Sequence, residues 1–157
     1  MKKFLTTALI LMLLFIFSVT YIVTRSLSPY NQAKNETIEL ASRRADLKET
    51  DAFYWYNGTE TYFTITGLNS QQMPIIVIVE QDGGAIEVLN ETDTISKQTA
   101  IQQTVNREEP DKILQARIGV YKEQPIWEVS FQFENKNIGY SYFSLTTGEW
   151  IKTIKNI

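Results

Sequence analysis

The sequence predicts an α+β protein: an N-terminal transmembrane helix followed by two small tandem units, each a helix packed on an antiparallel sheet. Three observations predict it. Residues 4–23, FLTTALILMLLFIFSVTYIV, carry no charge. Beyond them, apolar residues recur first at helical and then at alternating spacing, and that plan occurs twice. The 157-residue chain has no cysteine, so packing alone must hold whatever lies past the apolar run.

At about 1.5 Å per residue, a helix over 4–23 spans ~30 Å, the thickness of a bilayer's hydrocarbon core. Lys2 and Lys3 precede the run, and only Arg25 follows it before Lys34. That asymmetry places the amino terminus in the cytoplasm and the remainder outside. The run is longer than the ~7–15 residue core of a cleaved signal peptide, and Thr24-Arg25-Ser26 is a poor cleavage site. The expected location is the cell membrane, single-pass. The layout reads as a tail (1–3), an anchor (4–23), a stem and first helix (24–50), the strands of a first unit (51–91) and a second unit (92–157).

Pro29 is expected to end the membrane helix, because the residue before a proline prefers extended geometry. A second helical pattern then runs from about Asn31 to Lys48, with Ile38, Ala41 and Ala45 on one stripe. Ala52 to Asn57 and Thr61 to Thr66 read as a hairpin about Asn57-Gly58. Phe53 and Trp55 share one face of its first arm, Tyr54 and Tyr56 the other. The segment opened by Pro74, PIIVIV, is apolar on both faces and reads as a covered strand. Asp82-Gly83-Gly84 then turns into a fourth strand, AIEVL.

Thr92 to Arg107 reads as the next helix, with Thr92, Asp93 or Thr94 as N-cap and Ile101 and Val105 as the apolar contacts. Lys112 to Tyr121 alternates, Leu114, Ala116, Ile118 and Val120 sharing a face. From Pro125, Trp127, Val129, Phe131 and Phe133 alternate with Glu128, Ser130 and Gln132, a half-buried strand. Gly139 to Leu145, a Thr147-Gly148 turn and Trp150 to Ile154 complete the unit. The halves align at an offset of about 64 residues, which puts Phe63 on Trp127, Val79 on Phe143 and Gly84 on Gly148. The helices need a slip of about one residue, Ile38 onto Ile101.

Composition excludes more chemistry than it offers. A net charge of -3 and a pI near 5.1 give no electrostatic footprint for nucleic acid. The absence of histidine removes the usual general base and the commonest metal ligand. Glu108, Glu109 and Asp111 surround Pro110 without the glycine or spacing of a calcium loop, and read as a solvated helix end. Asp82, near Glu80 and Glu87, is explained by turn chemistry. Neither a Gly-x-Ser-x-Gly elbow nor a Ser-x-x-Lys pattern occurs. The reading is a non-enzyme with no catalytic, cofactor or metal residues and no small-molecule ligand evident. Aromatics are the better lead, since tyrosine and tryptophan dominate interface hot spots. The candidate partner-binding residues are Tyr54, Tyr56, Tyr140 and Tyr142, although most large aromatics pack inside.

A short basic start, one anchor, a linker helix and two helix-plus-hairpins units ending WEVSF…GYSYFSLTTGEWIK are similar to PepSY-like domains. The chain more closely resembles the TseB (YpmB) family of Gram-positive bacteria, single-pass proteins with tandem PepSY-like, cystatin-like outer regions. Pro125 to Lys152 is the most specific part of the resemblance. What it implies is an extracellular regulator of cell-wall elongation and cell shape, acting through a penicillin-binding transpeptidase. The alternative it implies is a PepSY-type restrainer of a surface peptidase. These motifs are structural, so the resemblance assigns no residue a role.

Overall fold

The computed structural model describes residues 2–155, with side chains described for all of these except residues 2–8, 23, 24 and 27. It divides into two compact units, residues 1–36 and 37–157.

The first element, α1, runs Lys2–Arg44 with Pro29 inside it. The expected stop at Pro29 is therefore absent. Proline removes one amide donor and crowds the carbonyl four residues back, at a cost of about 3 kcal/mol. Helical residues on both sides, with Ser26 Oγ donating to the Ile22 carbonyl at 2.8 Å and Gln32 Nε2 to Glu36 Oε1 at 2.9 Å, keep the register across that one break. Leu9 to Ile22 project large apolar side chains outward, Phe15 and Phe17 being 70% and 72% exposed. Among the described residues, no helix is long and apolar enough to cross a membrane. The side chains of Phe4 to Ala8 and of Val23, which belong to the expected anchor, lie outside the described residues.

Residues 37–157 hold two four-stranded antiparallel sheets, each in sequential order. The first contains β1 (Leu47–Asn57), β2 (Thr61–Asn69), β3 (Pro74–Glu80) and β4 (Ile86–Asn90). A single 3-10 turn at Glu91–Asp93 leads to α2 (Lys97–Glu108). The second sheet contains β5 (Lys112–Tyr121), β6 (Gln124–Gln132), β7 (Ile138–Ser144) and β8 (Trp150–Ile154). The α+β class and the two helix-and-sheet repeats are as the sequence predicts.

Helix ends differ from expectation for local reasons. The first helix stops at Arg44 rather than Lys48. Ala45 closes the last turn by donating to the Ala41 carbonyl at 2.8 Å, and Asp46 then turns left-handed at φ 55°. The Asp46 carboxylate accepts from Ser70 Oγ and pairs with Lys48 Nζ at 3.1 Å, so Leu47 enters β1 and is buried. In α2 the N-cap is Ser96, whose Oγ accepts from the Thr99 amide at 3.1 Å. Thr92 and Asp93 lie in the preceding 3-10 turn instead, and Thr94 caps that turn's end. The buried positions of α2 are Ala100, Thr104 and Glu108, while Val105 is 38% exposed. Small residues at the contact let the helix approach its sheet closely. In β5 a bulge between Ile113 and Gln115 turns Leu114 out to solvent, and Ile113 packs in its place.

Two apolar layers hold the body. Ala41 packs with Leu47, Ile65, Ile75, Val77 and Val79 on one face of the first sheet. On its other face Ile76 and Ile78 join Ala100 of α2 and Ile118, Trp127 and Phe143 of the second sheet. β3 is thus apolar on both faces because both are covered. The repeat is visible in the ladders: Phe63 pairs with Val79 as Trp127 pairs with Phe143, and Val79 with Ile86 as Phe143 with Trp150.

Candidate interaction face

The face of the second sheet turned away from α2 carries a polar row that alternation alone assigns to solvent. Arg117, Glu128, Tyr142 and Lys152 are direct cross-strand partners on β5, β6, β7 and β8. Glu128 is only 4% exposed. A buried carboxylate must be paired and hydrogen-bonded, and this one is both. Arg117 Nε meets Glu128 Oε1 at 2.6 Å, and the Tyr142 hydroxyl donates to Oε2 at 2.7 Å. The expected solvated place of Glu128 is thereby corrected.

The cover over this row comes from the first sheet. The Tyr56 ring, at the end of β1, lies against Gly119, where a Cβ would come within 2.2 Å of Tyr56 Cγ. Tyr56, Ile126 and Tyr142 form a buried cluster, with the Arg117 guanidinium 5.5 Å from the centre of the Tyr56 ring. Burial first, and then the Glu128 charge, push the Tyr56 hydroxyl's pKa up. Burial and the hydrogen bond to Glu128 push the Tyr142 hydroxyl up as well.

At the outer margin Lys152 Nζ sits 3.7 Å from the Tyr121 ring centre and 4.5 Å from that of Tyr142. A hydrogen bond with Lys152 draws the Tyr121 pKa down. Beside Tyr121, a hollow of about 430 Å³ opens between the β1–β2 and β5–β6 turns, lined by Glu60, Tyr62, Lys122 and Glu123 among others. The Tyr62 hydroxyl donates to Glu60 Oε2 at 2.8 Å, and burial with that bond raises its pKa to about 12.

The four sequence-derived tyrosines separate by depth. Tyr56 and Tyr142 are 2% and 7% exposed and are spent on the buried cluster. Tyr54 is half-buried, edge-on to Trp127 with ring centres 5.7 Å apart. Tyr140 is half-buried at the margin of the cluster. Sequence reasoning missed Arg117, Glu128, Tyr121 and Lys152; the only signal was a charge of each sign on neighbouring strands.

Glu108 is a second correction. It is 9% exposed, not solvated, and accepts from Thr153 Oγ1 at 2.8 Å while Lys155 Nζ lies 2.5 Å from Oε2. These contacts tie the end of α2 to β8 and its following residue. Among the described residues no group of acidic side chains is placed to hold a metal ion.

Similarity to known proteins adds to this geometry. A family model described as the cell wall elongation regulator TseB-like domain matches residues 36–80. That stretch is similar to a TseB-like domain. The YpmB protein from Bacillus subtilis shares the fold, with a TM-score of 0.70 at 21% identity over 77% of this chain and 95% of that one. A chain from Clostridium difficile described as a lipoprotein matches at a TM-score of 0.42 and 11% identity, over 80% of this chain and 91% of that one. That score is too low to bear on the fold. No curated protein matches. The matched stretch of the TseB-like domain takes in the end of α1, β1, β2 and β3, and so includes Tyr54 and Tyr56. The model that matches is described as that of a regulator of cell-wall elongation.

Proposed function

We propose that the chain is a single-pass membrane protein whose body, residues 37–157, acts outside the cell as a binding module. It regulates wall elongation by contacting a penicillin-binding transpeptidase, without catalysis of its own. The observation that carries this reading is the match of residues 36–80 to a wall-elongation regulator domain. The charge-free run 4–23 behind Lys2 and Lys3, and the exposed apolar side chains of Leu9 to Ile22, support the anchor.

The contact face in this reading is the tyrosine-rich outer face of the second sheet. Tyr140 and Tyr121 offer ring surface there, Lys152 supplies a fixed charge, and Tyr56 and Tyr142 brace them from beneath. Tyr54, packed on Trp127 in the core layer, lies on the other side of that sheet. Aromatic surface on a rigid support costs little entropy to immobilise, which is what an interface anchor requires. Affinity recovery of the full chain from cross-linked membranes tests the reading. A wall synthase enriched with the wild type and depleted with Tyr140→Ala is the expected result; no synthase above background rejects that partner.

A further inference from the structure

The fourth strand of each sheet is a free edge, and the two edges are built differently. Among the described residues, β4 pairs with β3 alone. The Glu80 amide donates to the Ala85 carbonyl at 3.0 Å. Counting on from that pair, the alternation of an antiparallel ladder turns the N–H and C=O of Ile86 and Val88 away from β3. Val88 is also 47% exposed.

Edge strands are usually guarded against pairing by lysine, proline or a bulge. β4 has no lysine and no proline, and its register with β3 is unbroken. β8 is guarded. Lys152 stands opposite Tyr142 where Glu87 stands opposite Ile78, Lys155 follows the strand, and a register shift interrupts the ladder between Tyr142 and Phe143. Both strands have five residues, so length does not separate them.

Charge names the occupant. No lysine or arginine occurs between Lys48 and Lys97. Glu80, Asp82, Glu87, Glu91 and Asp93 all lie on or beside β4. We propose that the β4 edge is a docking site for an extended basic segment of a partner protein, which adds a fifth strand through the outward backbone of Ile86 and Val88. A second copy of this chain is a poor occupant, because it brings the same carboxylates together. The inference rests on edge geometry and charge, and stands whether or not the partner is a wall synthase.

The test uses the full chain in detergent micelles and a capped synthetic peptide alternating lysine with valine and threonine. Its control carries glutamate in place of lysine. The lysine peptide is expected to slow amide exchange at Ile86 and Val88 by about tenfold or more, and the glutamate peptide to leave it unchanged. Val88→Pro removes an outward N–H while leaving the β3 ladder, and is expected to weaken binding about tenfold. Glu87→Lys leaves the backbone intact and is expected to weaken the lysine peptide and favour the glutamate one. Equal protection by both peptides, or none at Ile86 and Val88, overturns the proposal. So does protection that appears without peptide and grows with protein concentration, since a second copy then occupies the edge.

Discussion

Thr64 and Glu128 occupy the same ladder position in the two sheets, and the fold treats them differently. Thr64 lies between Tyr54 and Ile78, Glu128 between Arg117 and Tyr142. Glu128 is buried with a partner on each oxygen; the Thr64 hydroxyl is buried with none among the described residues. An unsatisfied buried hydroxyl costs roughly 1–3 kcal/mol, so Thr64→Val, nearly isosteric, is expected to stabilise the protein by about 1 kcal/mol in denaturant unfolding. The tyrosines offer a second residue-scale test. Absorbance titration is expected to show Tyr121 ionising below the ordinary value of 10.0 and Tyr62 at about 12. Lys152→Gln should return Tyr121 upward, and Tyr62→Phe should remove the one-tyrosine component near pH 12. The linkage sign follows. Tyr62 holds its proton more tightly folded than unfolded, so its contribution to stability is full below pH 10 and is lost as pH rises toward 12.

The elements that pattern could specify are those whose two faces differ sharply. β2 and β6 were legible because runs such as WEVSF fix which side faces the core, and β3 because PIIVIV, apolar on both faces, has to be covered on both. The misses have separate physical causes. The continuation of α1 through Pro29 depends on hydrogen bonds on both sides of it, the start of α2 on a competing 3-10 turn, and the outward Leu114 on a bulge. None of these follows from spacing. The polar row was illegible for a stronger reason: Glu128 alternates like a solvent residue and is buried only because β1 of the other repeat lays Tyr56 over its sheet. That cover depends on Gly119 having no side chain. Gly119→Ala drives a methyl into the Tyr56 ring and is expected to cost about 1–3 kcal/mol or more, read as a lowered thermal midpoint. An unchanged midpoint would mean that β1 does not press on the second sheet as described.

In the body as a whole, the two repeats share one core, since Ile76 and Ile78 of the first sheet pack with Ile118, Trp127 and Phe143 of the second. Units of about 60 residues are marginal alone, and burying a common face offsets that. Denaturant unfolding of residues 37–157, followed through single-tryptophan variants retaining Trp55 or Trp127, is therefore expected to give coincident transitions. Two separated midpoints would indicate independent repeats. The organisation leaves one face rich in tyrosine and one strand edge open, as the proposed binding module requires. In-cell photo-cross-linking tests that central claim most directly, with a photoreactive residue placed in turn at Tyr54, Tyr121, Tyr140 and, as a buried control, Tyr56. The account predicts a discrete adduct with a penicillin-binding protein from Tyr140 or Tyr121 and none from Tyr56. A folded protein giving no adduct from Tyr121 or Tyr140 would contradict it.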